Sequence, residues 1–263
     1  MTVAQVGTLS SEFERDGFVV VRNFLNPVEI QAALADARAL AEITPPDPAR
    51  PDRDYWGVRS RRVAGPQVME RAALRAIAEK PRLREIAEEI LGRDCVYDGT
   101  SVQMYMPHDQ HRQSWHTDTD PDDAPFFYVT MTTYLQDQSR KQGLTRLVPG
   151  SQHFPMEKRL PDHDDLPGQV ALEVPAGTLC AFRSTVWHNA AENRSDEPRF
   201  VVIHTFARPE FSRANAGKLY GRMRHSRGPR RSGKPLFDHP TNEGSYPWPE
   251  AYDLAHMPYM KRS

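Results

Sequence analysis

A histidine and a carboxylate stand two residues apart in the stretch Trp115-His116-Thr117-Asp118. On an extended segment, residues i and i+2 face the same way, so both side chains can point at one metal ion. A neutral imidazole and a carboxylate suit iron(II) when a third ligand comes from elsewhere in the chain. Because Asp120 shares the parity of Asp118, the triplet alone does not distinguish a metal site from an acidic surface turn.

The best candidate for a third ligand is His188, in the later stretch Val186-Trp187-His188-Asn189. It follows a turn at Gly177 and a predicted strand over residues 178–182. Taken alone, a single histidine in such a place is more typical of a hydrogen-bonded core residue. The competing histidines lie in predicted loops or in the middle of a strand: His108, His111, His153, His163 and His204.

An arginine, Arg199, follows His188 by eleven positions, and residues 193–198 between them have the composition of a turn. A hairpin of this size would place Arg199 at the start of a strand beside the one that carries His188. Its guanidinium would then hold a carboxylate at a fixed distance from the metal. 2-Oxoglutarate requires such an arrangement, since it chelates iron at one end and carries a carboxylate at the other. The alternative is an ordinary surface arginine at a strand edge.

The N-terminal third of the sequence predicts helices. A short helix begins near Ser10 and a strand follows over residues 17–21. Asn26, Pro27 and Glu29 form a strong helix start, with Asn26 as the cap and Glu29 placed for a capping box. A loop rich in proline and aspartate, residues 45–54, separates this helix from two more, predicted over residues 66–79 and from Pro81 to a stop at Gly92.

From residue 95 onward the pattern changes to short apolar strands separated by turns. Eight strands at this spacing predict a jelly roll, giving a mainly β fold with N-terminal helices packed on one sheet. We expect one domain over residues 1–263, with a helical part (1–94), a jelly-roll core (95–208) and an irregular, basic C-terminal extension (209–263). The predicted strands cover residues 95–97, 101–106, 129–135, 144–148, 170–174, 178–182, 186–189 and 200–206.

Three blocks of sequence, in this order and spacing, resemble the phytanoyl-CoA dioxygenase family of iron(II)- and 2-oxoglutarate-dependent oxygenases. They are residues 115–118, the stretch QGLTRLVPGSQ at 142–152, and residues 176–199 from AGT through His188 and Asn193 to Arg199. The opening DGFVV at 16–20 is similar as well, so the resemblance spans about residues 10–208. It implies a double-stranded β-helix (cupin-like) core, with iron bound by His116, Asp118 and His188, and Arg199 on the distal carboxylate of 2-oxoglutarate.

The resemblance also implies roles for two residues on neighbouring strands. Gln103 matches a position that often carries a polar active-site residue, and Thr132 is placed to contact 2-oxoglutarate. One departure is Ala190, where family members often have a serine that helps to hold the cosubstrate. Three residues are candidates to compensate for it: Tyr105, Thr132 and Thr133.

The activity implied is hydroxylation of an unactivated C–H bond, using iron(II), 2-oxoglutarate and dioxygen and releasing succinate and carbon dioxide. Related halogenases have a small residue in place of the carboxylate, so Asp118 favours oxygenation. Desaturation, cyclisation and epimerisation remain open, because substrate placement decides between them. More distant alternatives are a cupin-type metal enzyme that does not use 2-oxoglutarate, and a metal-free binding module.

The substrate is expected to be a small metabolite or a biosynthetic natural-product intermediate, ahead of an acyl-CoA. Aromatic and cationic side chains before the core and after the metal-binding block are the candidate contacts: Tyr55, Trp56, Arg59, Arg61, Arg62, Phe126, Phe127 and Tyr128. Their ordinary alternative is loop packing and surface charge.

The bulk composition excludes several classes of protein. The 263 residues carry a net charge of −1, which offers no case for a nucleic-acid or membrane-surface partner. Two cysteines far apart, Cys95 and Cys180, cannot form a disulfide framework, so a cytoplasmic setting is expected. We expect a small-molecule substrate as the main partner and leave a homodimer open.

Overall fold

The computed structural model describes residues 6–46, 59–109, 115–119, 128–153 and 165–209. Helix α1 covers Val6–Asp16, strand β1 covers Phe18–Val21 and helix α2 covers Pro27–Ile43. The predicted capping box is present, because the Asn26 side chain accepts hydrogen bonds from the N–H groups of Val28 and Glu29. The Glu29 carboxylate accepts the N–H of Asn26 in return, at 2.8 Å.

The helix predicted over residues 66–79 is in fact two helices, α3 (Pro66–Met69) and α4 (Ala72–Ala78). The chain turns to an extended conformation at Arg71, between them. The cause is a tertiary contact, since the Asp36 carboxylate on α2 accepts the N–H of Ala73 at 2.8 Å and so caps α4. Helix α5 covers Pro81–Leu91 and ends at Gly92, as predicted.

A six-stranded antiparallel sheet has the order β1-β7-β4-β9-β3-β2. Strand β3 joins two predicted strands into one, with a register shift between Tyr97 and Gly99. Strand β2 was not predicted; it is a short edge strand with two arginines in four residues. The bounds are β2 Arg61–Ala64, β3 Val96–Tyr105, β4 Tyr128–Tyr134, β7 Leu179–Arg183 and β9 Arg199–Ala207.

A smaller antiparallel sheet has the order β6-β5-β8, with β5 at Thr145–Leu147, β6 at Val170–Ala171 and β8 at His188–Ala190. The helices pack on one face of the large sheet, against residues such as Val102, Met131 and Val202. The other face, which carries Tyr105, Tyr134 and Val201, packs against the small sheet; we call it the inner face. The predicted jelly-roll core with helices on one sheet is thus confirmed.

The predicted hairpin between His188 and Arg199 is wrong. Strand β8 pairs with β5 in the small sheet, whereas β9 pairs with β3 and β4 in the large one. Residues 191–198 therefore cross from one sheet to the other. Asn193 fixes this crossing, because its side-chain amide donates hydrogen bonds to the carbonyls of Tyr105 and Glu197, at 2.9 and 2.8 Å.

Among the helices that the structure describes, none is both long and apolar enough to cross a bilayer.

Candidate functional site

Backbone hydrogen bonds bring the two halves of the predicted metal site together. His116 and Asp118 lie on a short irregular segment, residues 115–119, beside the first residue of β8. The backbone N–H and C=O groups of His116 and His188 pair reciprocally, both at 3.0 Å. The N–H of Asp118 donates to the Ser184 carbonyl at 2.7 Å, which fixes the segment at a second point.

The three side chains converge. One possible ligand atom from each of His116, Asp118 and His188 lies within 4.8 Å of the others. The Asp118 Oδ1 is 3.8 Å from Nε2 of His116 and 3.6 Å from Nε2 of His188. Two imidazoles and one carboxylate, with no fourth protein ligand among the described residues, form a donor set that fits iron(II) with open positions.

Each of two ligands is oriented by a neighbour. Nδ1 of His188 lies 2.9 Å from the carbonyl of Val186, so an N–H there leaves Nε2 as the metal-binding atom. The hydroxyl of Thr130, on β4, donates to Oδ2 of Asp118 at 3.1 Å. Because Thr130 holds Oδ2, the other oxygen faces the histidines. Sequence reasoning missed Thr130, although it shares the strand parity of the predicted Thr132.

Asp118 and His188 each shift the pKa of the other. Burial alone would raise the pKa of the Asp118 carboxyl, but the charge of His188, its hydrogen bond, and the contributions of His116 and Thr130 lower this pKa to about 2. Burial would lower the pKa of His188, and Asp118 raises it above its ordinary value. The Asp118 carboxyl is therefore ionised at neutral pH, as a metal ligand must be.

Gly17 packs closely against Val186, the residue whose carbonyl orients His188. Its φ of +79° suits glycine, and a Cβ there would lie 2.1 Å from Cγ2 of Val186, whose carbonyl orients His188. The block QGLTRLVPGSQ reaches the same place, because the Gln152 side chain is 2.4 Å from that Cβ position.

We therefore expect Gly17→Ala to lower the free energy of unfolding by about 2–4 kcal/mol, combining backbone strain with overpacking. Metal affinity should fall as well, since Val186 must move. The control is Gly168→Ala, at a φ of +72° with nothing within 4 Å of the new Cβ. Denaturant unfolding and metal titration of both variants check this; equal losses in the two would exclude a packing role for Gly17.

Arg199 is the most unusual residue of the inner face. It is 1% exposed, and two of its guanidinium nitrogens, Nε and Nη1, have no hydrogen-bond partner among the described residues. Its Cζ lies 3.9 Å from the centre of the Tyr105 ring, in a cation–π contact. Burial lowers the pKa of Arg199, against the opposing effect of Tyr105 and Tyr134. A buried cation with two unused donors fits a carboxylate ligand.

Gln103 and Thr132 also lie on the inner face, as the alternation of strand residues requires. Gln103 is two residues before Tyr105 and accepts a hydrogen bond from its hydroxyl. Thr132 is two residues before Tyr134, which is paired with Val201 of β9. Of the candidates to compensate for Ala190, Thr133 is excluded, because it has the parity of Val129 and Met131 on the helix side.

The competing histidines that the structure describes lie elsewhere. His204 has the opposite parity to Arg199 on β9, and its Nδ1 is 3.1 Å from the Tyr97 hydroxyl. Burial lowers the pKa of His204 to about 3, so it stays neutral. His108 is exposed and 3.2 Å from Asp196, and His153 contacts the carbonyl of Glu14. Outside the described residues lie His111, His163 and Asp120.

The predicted substrate contacts that the structure describes have different surroundings. Arg61 is buried and donates to the carbonyls of Arg59 and Ala41, so it supports strand β2 and does not face the site. Arg59 is tied to Asp109, whose carboxylate accepts its N–H at 2.8 Å. Arg62 is exposed and pairs in register with Gln103, on the inner-face side. Tyr128 opens β4, while Tyr55, Trp56, Phe126, Phe127 and the basic extension after residue 209 lie outside the described residues.

Comparison with known proteins gives a family match over most of the described core. The model of the phytanoyl-CoA dioxygenase (PhyH) family matches residues 13–201. Among curated proteins, an uncharacterized protein of Mycobacterium tuberculosis is 42% identical over 74 residues, which is 28% of this chain and 26% of that protein. The chain thus matches about a quarter of the length of that relative.

Two further likenesses extend over more of the chain. The L-proline trans-4-hydroxylase of Streptomyces griseoviridis is 27% identical over 162 residues, covering 49% of this chain and 60% of the enzyme. The crystal structure of SnoN, a non-haem 2-oxoglutarate-dependent epimerase of nogalamycin biosynthesis, superposes with a TM-score of 0.65 at 24% identity, covering 78% of this chain and 84% of that one. The second likeness supports the fold.

Proposed function

This chain belongs to the phytanoyl-CoA dioxygenase family, and we propose that it is an iron(II)- and 2-oxoglutarate-dependent oxygenase that hydroxylates an unactivated C–H bond of a small metabolite or natural-product intermediate. The observation that carries the proposal is the presence of two sites between the two sheets of the core. One is the cluster His116, Asp118 and His188; the other is the buried, incompletely paired guanidinium of Arg199.

Bound iron and 2-oxoglutarate would supply an oxidant from dioxygen, releasing succinate and carbon dioxide. The protein groups hold and orient. His116, Asp118 and His188 would hold the metal, while Thr130 and the Val186 carbonyl fix the ligand atoms. Arg199 receives the distal carboxylate of 2-oxoglutarate, which fixes the direction from which the cosubstrate enters.

The acidic ligand favours oxygenation over halogenation. Asp118 is ionised, hydrogen-bonded to Thr130 and directed at both histidines, so it occupies a position that a halide would need. A second outcome of the same chemistry is epimerisation, which the likeness to the epimerase SnoN favours as an alternative. The placement of the substrate C–H bond at the iron would decide between hydroxylation and epimerisation.

The substrate is proposed to carry an anionic or strongly polar group. Arg62 supports this, because it is exposed on the edge strand β2, opposite Gln103. Its positive charge acts to lower the pKa of the buried Tyr105 hydroxyl. The site would then have a buried cation for the cosubstrate and an exposed one for the substrate. A small acid is accordingly a better first choice for screening than a long acyl thioester.

The test is anaerobic reconstitution of the chain with iron(II) and 2-oxoglutarate, followed by addition of dioxygen with a panel of small acids and amino acids. We expect substrate-stimulated succinate and a product that carries one oxygen atom from labelled dioxygen. A product without that atom would indicate epimerisation, desaturation or cyclisation. If no compound raises succinate above the level of an Asp118→Ala variant, and metal binds without 2-oxoglutarate, a cupin-type enzyme without this cosubstrate replaces the proposal.

A further inference from the structure

The small sheet has an outer face, turned away from the metal cluster, and Arg146 of β5 is buried on it. The next residue, Leu147, packs between the two sheets, so the alternation of strand residues directs Arg146 the other way. The Arg146 side chain is 13% exposed, and burial lowers its pKa, against the opposing effect of Asp165. The Asp165 carboxylate, 2.5 Å away, is 83% exposed, so this ion pair contributes little stability. The buried guanidinium is therefore of interest for its other contacts.

Arg146 contacts one residue beside each of the two metal-binding histidines. Its Nε donates to Oδ1 of Asn189 at 2.7 Å, and Asn189 follows His188 in β8. Its Cζ lies 5.2 Å from the centre of the Trp115 ring, in a cation–π contact, and Trp115 precedes His116. On the outer face, the guanidinium thus bridges the same two segments that carry the histidines.

Both partners of this bridge are buried. Asn189 is fully buried and its Nδ2 has no hydrogen-bond partner among the described residues, so the bond from Arg146 orients its amide. Neighbouring residues of an extended segment point to opposite faces, so a movement of Trp115 or Asn189 also moves the histidine beside it. The backbones of His116 and His188 are paired, and Arg146 joins the side chains next to them. Trp115 packs in a small apolar cluster with Val148, Leu166 and Trp187.

We propose that Arg146 is a positioning residue for the iron site, which holds the segment of His116 at a fixed distance and twist relative to β8. The inference rests on the proposed function, since it concerns the same metal. A planar guanidinium can stack on an indole and donate in its plane to an amide, which neither an ammonium nor an apolar side chain does. The alternative is that Arg146 merely covers the small sheet, and its loss would then change stability and leave the metal site as it is.

Metal affinity and folding stability of the full chain, measured separately, distinguish the two roles. Iron(II) and cobalt(II) are each titrated into the metal-free protein under anaerobic conditions, and denaturant unfolding of the metal-free protein gives its stability. Arg146→Met should weaken the binding of both ions about 10- to 100-fold, the usual cost of losing a group that orients metal ligands. The d–d absorption of bound cobalt(II) should also change in intensity, because it depends on the angles between the ligands.

Two controls separate the bridge from its surroundings. Leu83→Ala, in the buried core under the helices, should lower stability and leave metal affinity unchanged, because a protein that stays folded keeps its site. Asp165→Asn removes the exposed partner of Arg146 and should keep metal affinity within about fivefold of wild type, the most that an exposed ion pair contributes.

The proposal is overturned if Arg146→Met binds both ions with wild-type affinity, or if Asp165→Asn loses as much affinity as Arg146→Met. Should Arg146→Met not fold, Arg146→Lys takes its place, since lysine keeps the charge without the planar bridge. Wild-type metal affinity in that variant would equally overturn the role of Arg146 and leave the proposed function standing. Failure of the wild type itself to bind iron(II) would overturn the proposed function as well.

Discussion

Replacing Arg199 by methionine is expected to remove 2-oxoglutarate binding while leaving the ligand-free protein at least as stable as wild type. The two effects have one cause. The guanidinium is 1% exposed and has two nitrogens without partners among the described residues, so the folded protein bears the cost of a buried, incompletely paired charge. Methionine has a similar length and flexibility, and it removes that charge.

The expected size of each effect follows from the burial of Arg199. Replacing buried ionic groups by apolar ones of similar volume is often neutral, or stabilising by about 1–4 kcal/mol. Loss of the buried charge partner of a carboxylate costs about 2–5 kcal/mol in binding, which corresponds to about 30- to several thousand-fold in affinity. Stability and cosubstrate affinity should thus change in opposite directions.

Thermal unfolding with and without iron(II) and 2-oxoglutarate under anaerobic conditions measures both effects. The wild-type midpoint should rise with the cosubstrate, and the Arg199→Met midpoint should not. Arg140→Met is the control, because Arg140 is exposed and pairs only with Glu173 in the part of the chain described. A 2-oxoglutarate shift of wild-type size in Arg199→Met would show that this arginine does not hold the cosubstrate.

Asp118→Asn is expected to weaken iron binding by at least about 100-fold, since loss of groups that merely orient a ligand already costs about 10- to 100-fold. Asparagine keeps the shape of the side chain but removes the negative charge that both histidines face. Without that charge, the pKa of His188 should also fall, because the charge of Asp118 and its hydrogen bond help to raise it.

Iron content after dialysis, and titration of the metal-free protein with iron(II) under anaerobic conditions, give the affinity. The control is Asp196→Asn, an exposed carboxylate that pairs with His108 and lies away from the cluster. Both variants should fold, since neither residue belongs to the apolar core. If Asp118→Asn retains one iron per chain, Asp118 is not needed as a ligand and other residues bind the metal.

The sequence predicted the elements better than their pairing. Strands were visible because apolar residues alternate along them, and the α2 cap because Asn26, Pro27 and Glu29 act locally. The partners of β8 and β9 could not be predicted, because consecutive strands of a jelly roll alternate between sheets and the intervening residues look like a hairpin turn. Asn193 makes the crossing by bonding to Tyr105, which is distant in sequence.

The candidate site shows the same division. The three metal-binding candidates and Arg199 could be named because their residue types are rare in such positions and the spacing resembles a known family. Thr130 could not, since a hydroxyl on a buried strand becomes notable only when its neighbours are known. Arg61 was a candidate substrate contact because of its charge. Its guanidinium instead donates hydrogen bonds to the carbonyls of Arg59 and Ala41, which the sequence alone does not reveal.

The reciprocal backbone pairing of His116 and His188 makes a bound metal a cross-link in the chain. Residues 115–119 are joined to the neighbourhood of β8 by the bridge between His116 and His188, by hydrogen bonds from Asp118 and Thr119 to Ser184, and by packing of Trp115 with Trp187. An ion held by side chains on both sides would close a long loop of polypeptide, as a staple does, and would stabilise the native state by mass action. Iron depletion should therefore act on the folding equilibrium of the jelly roll as well as on its chemistry.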